Sequence, residues 1–332
     1  MVILGVAMVG FALSVYLGIA SLRHRPPAAV MTPGALSVQA PVAGVLYLTQ
    51  NGGLYKLQGN RFTELQPPGG GWMQPAVAPD HRSLAIIKRN PEWSDLFLLD
   101  LDGRPLSQLT RNQGGDLTSD HWAFYPTFSP DGATIYYSLD NPKEGFRVDL
   151  SIWALQSAGG SARQWSVPNP YTGGDVAPVS LGGSTIIYSG FGFDEQSHVH
   201  SQLYFQARPL EPGRALTTPG EDCGQPALSP DRTRVAMICT GGQQVGRLVV
   251  AELDGAGLSA RQVLVDGTLC AAPSWEPDGG GLAYLAPAAP GGKFQLWYIQ
   301  VPSGSPSGPT PRTPIQLTTS LGFDPTSRIA WF

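Results

Sequence analysis

A short motif recurs along the chain every 47 to 52 residues, and it limits the possible folds more than any other feature. The motif reads Pro-x-x-x-Pro-Asp, and a short apolar run follows each copy. This order of strand, turn and strand is typical of a β-hairpin. Because a period of about 40 to 50 residues is typical of propellers, the repeat predicts an array of blades. Full copies begin at Pro75, Pro126, Pro226 and Pro273, and a degraded copy without the Pro-Asp pair begins at Pro178.

A second element of the repeat is an apolar third strand, which occurs six times. A fourth strand closes several units, with Leu-Thr at positions 109–110, 216–217 and 317–318. Six third strands indicate six blades, so we expect an all-β, six-bladed β-propeller with four-stranded antiparallel blades over residues 43–332. The third strands begin at Leu54, Leu96, Ile152, Leu203, Leu248 and Leu296.

The first repeat unit has three predicted strands between Val45 and Gln66 and lacks the Pro-containing strand that leads the others. The last residues of the chain, Ser327 to Phe332, look like the strand that begins at Pro273. We therefore expect the C-terminus to supply the inner strand of blade one and close the ring, which protects edges that an open array exposes. Because the sequence ends at this strand, no catalytic domain is expected after the propeller.

These elements together resemble the TolB-like β-propeller repeat, also called PD40 or WD40-like. The segment from Pro126 to Gly132 is the most specific match, and the resemblance covers residues 43–332. TolB itself has an α/β domain before its propeller, where this chain has an apolar segment and a tether. The resemblance therefore implies a TolB-like propeller other than TolB, in a class whose members bind other proteins.

The beginning of the chain predicts attachment to a membrane. Residues 1–22 contain no charged side chain. A helix of this length spans about 30 Å, the thickness of the hydrocarbon core of a bilayer. The segment is predicted to be a single-pass transmembrane anchor, and the alternative is a long signal peptide, although no basic residue precedes the apolar run. Residues 23–42 are rich in Pro and Ala without periodicity, which is typical of an extended tether.

Two signals about membrane orientation disagree. Arg23 and Arg25 directly follow the apolar segment, and the positive-inside rule would place the rest of the chain in the cytoplasm. A large folded domain can cross the membrane regardless of such charges. We expect the propeller on the extracytoplasmic side, periplasmic or extracellular, with the cytoplasmic orientation as the open alternative.

Composition and motif content exclude several classes of function. Charged residues make up 14% of the chain and the formal net charge is −4, so there is no basic surface of the size that nucleic-acid binding needs. The sequence has no Gly-x-Ser-x-Gly elbow, no phosphate-binding loop and neither of the common zinc motifs. No catalytic residue, cofactor or metal is therefore assigned.

The predicted loops differ between the two faces of the propeller. The turns between first and second strands, and between third and fourth strands, share the lower face, where they are short and without aromatic residues. The loops between second and third strands, and between blades, share the upper face. In blades two to four these loops are long and rich in aromatic and charged residues, which is typical of binding surfaces on a rigid scaffold. The candidate binding residues are Trp93, His121, Trp122, Phe146, Arg147, Phe191, Phe193, His198 and His200.

These candidates fit two classes of function. The favoured hypothesis is a membrane-tethered, non-catalytic binding or scaffold protein of the bacterial cell envelope that binds a protein partner through the upper-face loops of blades two to four. The alternative is a propeller enzyme, or a module that binds a sugar or metal, with a site at the channel mouth. His121, His198 and His200 would supply its ligands, with Asp120 and Asp194 on the same face. His198 and His200 could chelate because alternate residues of an extended segment point the same way, but a polar loop is the favoured interpretation.

The three cysteines lie in blades five and six. Cys223 precedes Pro226 by three residues and Cys239 ends the next strand, so pairing about the Pro-Asp turn places the two opposite each other. A disulfide between them is geometrically feasible and would favour an oxidising compartment. Cys270 holds the equivalent position in blade six and competes with Cys223. Three unpaired, buried thiols are the other alternative.

Overall fold

The computed structural model describes residues 42–143, 148–243, 245–255, 257–302 and 313–332. The predicted anchor, residues 1–22, and the tether up to residue 41 lie outside the described residues, as do the candidate residues Phe146 and Arg147. Within the described ranges, no helix is both long enough and apolar enough to cross a bilayer. The described chain consists of β-strands and connecting loops, with a short 3₁₀ turn at Pro219–Glu221.

The strands form six four-stranded antiparallel sheets, one for each predicted blade, so the all-β, six-bladed architecture is confirmed. Blades one to three contain β1 (Val42–Gln50), β2 (Gly53–Gly59) and β3 (Arg61–Gln66); β4 (Trp72–Val77), β5 (Ser83–Arg89), β6 (Ser94–Asp100) and β7 (Pro105–Gln108); and β8 (Ala123–Phe128), β9 (Thr134–Leu139), β10 (Ser151–Gln156) and β11 (Arg163–Gln164). Blades four to six contain β12 (Asp175–Gly182), β13 (Thr185–Phe193), β14 (Val199–Gln206) and β15 (Arg214–Ala215); β16 (Cys223–Leu228), β17 (Arg234–Cys239), β18 (Gly246–Asp254) and β19 (Gly257–Thr268); and β20 (Ala271–Trp275), β21 (Gly281–Pro287), β22 (Phe294–Gln300) and β23 (Ile315–Gln316).

The C-terminal strand closes the ring, as predicted. β24 (Ala330–Trp331) is the inner strand of blade one and pairs antiparallel with β1, which places Ala330 opposite Tyr47. The ring of Phe332 stacks on Tyr47 with 6.0 Å between centroids. Blade one is therefore built from both ends of the described chain, which ties the first blade to the last.

The core lies between neighbouring blades. Ile238 and Val250 of blade five pack with Trp275, Leu282 and Tyr284 of blade six, and all five side chains are buried. Because each sheet is covered by another blade on both faces, its middle strands are apolar on both sides. This explains why the sequence shows continuous apolar runs, such as positions 84–87, rather than alternation.

The Leu-Thr motif of the fourth strand has a defined structural role. The Leu317 N–H donates to the carbonyl oxygen of Leu296 at 2.8 Å, and the Thr318 hydroxyl accepts from the Leu296 N–H at 2.9 Å. The motif thus satisfies both backbone groups of one residue in the third strand. The same pairs of hydrogen bonds join Leu109 and Thr110 to Leu96, Trp165 and Ser166 to Ile152, and Leu216 and Thr217 to Leu203.

The inner strands of blades two to six each have an irregularity beside the motif proline. The residue before that proline has a positive φ, between 51° and 57°, and the strand register shifts there. The polar side chains at this position bridge blades around the channel. Gln74 Oε1 accepts from the Tyr125 N–H at 2.7 Å, and Gln225 Oε1 accepts from the Ala272 N–H at 2.6 Å. The five residues are Gln74, Tyr125, Ala177, Gln225 and Ala272.

Candidate functional site

A buried carboxylate organises the upper-face loops of blade three. Asp140 Oδ1 accepts a hydrogen bond from the backbone N–H of Trp122 at 2.7 Å and lies 3.2 Å from His121 Nδ1. The other carboxylate oxygen pairs with the Lys143 ammonium at 3.1 Å. Lys143 also donates to the backbone carbonyl of Asp120. The His121 ring therefore contacts its own scaffold, and the backbone at Trp122 is fixed from within the fold.

The structure places Trp93 and Trp122 on adjoining parts of the upper face. Ser94, which follows Trp93, forms a parallel β-bridge with Trp122 between blades two and three. The Trp122 ring lies parallel to Phe124 with 6.2 Å between centroids, and the Arg89 guanidinium lies 5.4 Å from the Trp122 ring. Both tryptophans are half-buried. Arg89 thus belongs to this surface, although it was not among the sequence candidates.

The blade-four candidates lie on the hairpin formed by β13 and β14. Phe193 pairs with Val199 at the tip of this hairpin, and 49% of Phe193 is exposed. Phe191 is half-buried and pairs with Ser201. Of the two aromatic candidates in this blade, Phe193 therefore offers the larger surface for contact with a partner.

The two histidines of the blade-four hairpin do not converge on a shared point. His198 Nδ1 lies 3.3 Å from Asp194 Oδ2 at the exposed tip, whereas His200 Nε2 lies 3.2 Å from Gln202 Oε1 in a half-buried position. Among the described residues, no three His, Cys, Asp or Glu side chains lie close enough together to hold a metal ion. The geometry therefore offers no chelating set built from this pair.

Exposed apolar side chains are concentrated on the upper face. Twelve large apolar residues of the described chain are exposed, and six of them lie in the upper-face loops of blades two to four or at the strand ends that lead into them. The lower-face turns contribute only Leu210 from the described residues. Single exposed apolar residues are normal, whereas a grouping on one face is typical of an interaction surface. The six residues are Leu117, Val148, Val167, Tyr171, Phe193 and Val199.

An upper cavity of about 220 Å³ opens between blades four and five, with Phe191 and Tyr125 in its walls. Its polar lining includes Asp222, whose Oδ1 accepts from the backbone N–H and the hydroxyl of Ser201 at 2.7 and 3.0 Å. The Thr240 hydroxyl donates to the other carboxylate oxygen. The Asp222 carboxylate therefore already accepts hydrogen bonds from the protein itself.

The disulfide of the structure lies beside the upper cavity. Cys223 and Cys239 are opposite each other on β16 and β17, and their sulfurs are bonded at 2.04 Å. Cys270 is a buried free thiol, and burial raises its pKa to about 12. Because Cys223 follows Asp222 directly, the bridge fixes the strand that presents the carboxylate to the cavity.

A second buried carboxylate lies in blade four without a full set of partners. Asp175 is the first residue of β12, and no described residue donates a hydrogen bond to its Oδ2. Burial raises the pKa of Asp175 to about 7, against a hydrogen bond from Ser166 that lowers it, while the nearby charge of Asp149 raises it further. The folded protein therefore favours the protonated form of this carboxyl group below neutral pH.

A large concave space lies on the lower face, where the sequence predicted no site. The inner strands and their lower turns line a cavity of about 420 Å³, which we call the lower chamber. The prolines of the repeat line its walls, and Arg328 lies at its inner end. The repeat motif could have predicted this chamber, because prolines at the same position in successive repeats lie around the propeller axis.

Six four-stranded antiparallel blades, closed by the C-terminal strand, define a six-bladed β-propeller, and comparison with solved structures shows its type. TolB from Acinetobacter baumannii matches with a TM-score of 0.64 at 16% identity, over 88% of this chain and 67% of that chain. A protein assigned as TolB from Agrobacterium tumefaciens matches with a TM-score of 0.57 at 17% identity, over 87% of this chain and 98% of that chain. These matches confirm the predicted TolB-like fold, and at this identity they show the fold alone. The sequence matches no protein family model and no curated protein.

Proposed function

We propose that this protein is a membrane-tethered, non-catalytic binding or scaffold protein of the bacterial cell envelope, and that it binds a protein partner through the upper face of blades two to four. The grouping of exposed apolar side chains on this face carries the proposal. Tyr171, Phe193 and Val199 are exposed in or beside blade four, and Trp93 and Trp122 lie on the adjoining side. Aromatic residues of this kind dominate the binding energy of protein interfaces.

The rigidity of the tryptophan region supports recognition of a partner. The backbone of Trp122 is held by Asp140, and its ring lies beside Phe124 and the Arg89 guanidinium. A side chain that is already ordered in the free protein loses little conformational entropy on binding. Trp122 with Arg89 therefore offers a preformed contact that combines an aromatic surface with a positive charge.

The beginning of the chain supports the cellular part of the proposal. Residues 1–22 have the length and apolar character of a membrane anchor, and the next 20 residues would let the propeller reach up to about 70 Å from the bilayer if extended. The disulfide between Cys223 and Cys239 favours the extracytoplasmic side, because disulfides persist in oxidising compartments.

Affinity capture with matched variants tests the interface. The full chain, solubilised in a mild nonionic detergent, is used to capture proteins from a membrane extract of the source organism. Trp93, Trp122 and Phe193 are changed together to Ala in one variant. The control variant changes Leu106, Leu210 and Val263, which are exposed apolar residues elsewhere, to Ala. Both variants are first checked for unchanged melting temperature.

We expect a specific protein to be captured by the wild-type chain and by the control but not by the upper-face variant. The purified partner should then bind the three chains in the same order in a direct titration. Equal capture by all three chains would contradict the assignment of the interface. The anchor is tested separately by carbonate extraction, which should leave the full chain in the membrane fraction and release a chain that lacks residues 1–22.

A further inference from the structure

A single arginine forms the inner end of the lower chamber. Arg328 lies two residues before Ala330 on the closing strand, as Gln74 lies two residues before Ala76 in blade two. Arg328 thus occupies, in blade one, the position of the residue before the motif proline. Its side chain lines the chamber and also a small cavity on the other side of it. The guanidinium therefore lies at the boundary between the chamber and the upper part of the channel.

The contacts of Arg328 cross the axis of the propeller. Its Nη2 donates to the carbonyl oxygen of Pro178 at 3.0 Å, and its Nη1 donates to that of Pro126 at 3.4 Å. The guanidinium also lies 5.7 Å from the centre of the Tyr125 ring. A guanidinium has five N–H donors, so these contacts leave three donors for another acceptor.

No carboxylate in the described part of the chain forms an ion pair with Arg328. Burial lowers the pKa of its guanidinium to about 10, and the group therefore keeps its positive charge at neutral pH. Arg328 is half-buried, and a charge that is partly removed from water is stabilised by a partner of opposite sign. In this structure, two carbonyl dipoles and an aromatic ring take the place of that partner.

The lining of the lower chamber is complementary to an anion with an apolar body. Among the described residues that line the chamber there is no Asp or Glu, whereas Arg232 adds a second guanidinium near the lower turns. In two of these turns the aspartate accepts a hydrogen bond from a serine of the same turn. Asp131 accepts from the Ser129 hydroxyl, and Asp231 accepts from the equivalent Ser229 hydroxyl. The remaining walls are mostly proline rings and small side chains, which favour an apolar group.

We propose that the lower chamber binds a small organic carboxylate, with the carboxylate group paired to Arg328 and the apolar part packed against the prolines. A planar carboxylate matches the two-pronged geometry of a guanidinium. Its single negative charge would balance the single positive charge of Arg328 at the inner end of the chamber. The chamber volume of about 420 Å³ lies in the range of small-molecule sites. This site lies on the lower face and does not depend on the protein interface proposed for the upper face.

Isothermal titration calorimetry with chemically matched probes tests the site. Hexanoate and benzoate are titrated into the full chain in nonionic detergent, beside the neutral amides hexanamide and benzamide and beside inorganic phosphate. We expect the carboxylates to bind at least about tenfold more tightly than their amides, the effect of one charge-assisted pair. Equal binding of carboxylate and amide, or equal binding of phosphate and carboxylate, would overturn the proposal.

Two sets of variants locate the binding. Arg328→Gln should weaken hexanoate binding by about tenfold or more, while Arg104→Gln, in an exposed lower-face turn, should leave it unchanged. If Arg328→Gln does not fold, a second variant decides: Ala76→Leu with Thr127→Leu narrows the chamber at two half-buried lining positions and keeps Arg328. Loss of hexanoate binding in that folded variant supports the site, and unchanged binding overturns it.

Discussion

The carboxylate of Asp140 and the backbone N–H of Trp122 form a hydrogen bond of 2.7 Å that joins the two upper-face loops of blade three. One loop connects blade two to blade three, and the other connects β9 to β10. Asp140 is buried and also contacts His121 and Lys143. The position of the Trp122 ring in the proposed interface therefore depends on a side chain that does not itself face the partner.

We expect Asp140→Ala to lower the free energy of unfolding by about 1–3 kcal/mol, because it leaves a backbone donor without an acceptor and a cation without its partner. Asp140→Asn keeps an acceptor for the Trp122 N–H and should lose less. Urea unfolding followed by tryptophan fluorescence measures both. Glu92→Ala, at an exposed acidic residue of the loop between β5 and β6, serves as the control, and an equal loss in that variant would count against the proposed role of Asp140.

The second prediction concerns the fourth-strand motif. Thr318 is buried, and its hydroxyl accepts from the Leu296 N–H and donates to Gln295 Oε1. Thr318→Val keeps the shape but removes both hydrogen bonds, so we expect a loss of about 1–3 kcal/mol in the free energy of unfolding.

Thr318→Ser is the matched control, because Ser166 makes the equivalent hydrogen bond in blade three. The serine variant should remain within about 1 kcal/mol of the wild type, since only a methyl group is lost. Equal destabilisation by Val and Ser in thermal or chemical unfolding would show that the hydroxyl does not matter.

The hairpin at Pro126 and the pairing of the C-terminal strand with blade one could be predicted from the sequence, because both follow from the spacing of the repeat. The sequence left several states of the three cysteines open, and the structure selects the bridge between Cys223 and Cys239. Arg328 could not be assigned in this way. Its acceptors, Pro126 and Pro178, are 202 and 150 residues away, so their approach depends on closure of the whole ring.

The upper-face candidates likewise combine residues that the sequence pattern predicts with contacts that only the folded chain creates. Loop composition predicts Trp93 and Trp122 as binding residues, and the bridge between neighbouring blades brings their loops together. His198 lies in the loop of the hairpin, where the Asp194 N–H donates to its carbonyl oxygen, and β14 begins at Val199. The His198 ring lies near Asp194 whereas the His200 ring lies near Gln202, so the alternate spacing of the two histidines does not bring them to one site.

The third prediction concerns the cysteines. With the Cys223–Cys239 bridge formed and Cys270 buried with a raised pKa, the native protein should react with no equivalent of Ellman's reagent at pH 8. Denaturation without reductant should expose one thiol, and denaturation after reduction should expose three. Three reactive thiols without reductant would show that the bridge is absent.

The disulfide should also contribute to stability. It closes a loop with a sequence separation of 16 residues, for which the loss of chain entropy in the unfolded state corresponds to about 3 kcal/mol. Replacing both Cys223 and Cys239 by Ser should therefore lower the melting temperature, whereas Cys270→Ala should change it less. An unchanged melting temperature in the double variant would contradict this role.

The fourth prediction concerns pH and rests on Asp175, whose pKa burial raises from 3.8 to about 7. Between these two values the folded state binds the proton more tightly than the unfolded state. The stability due to this group is therefore fully present below about pH 4 and is lost as the pH rises through about 7. Asp175→Asn carries a neutral group of the same shape at every pH, so it should not show this loss.

The difference in stability between the two proteins should consequently grow with pH. Near pH 4 the wild type and Asp175→Asn should agree within about 1 kcal/mol, and at pH 8 the variant should be more stable, by at most about 4 kcal/mol. Melting temperatures measured between pH 4 and 9 test this, and the difference between the two proteins removes the contribution of the histidines, which both chains share. The carboxylates of Asp131 and Asp231 have lowered pKa values and lose their contribution only in acid, so they do not enter this range. A constant difference between the two proteins across this range would show that Asp175 stays ionised in the fold.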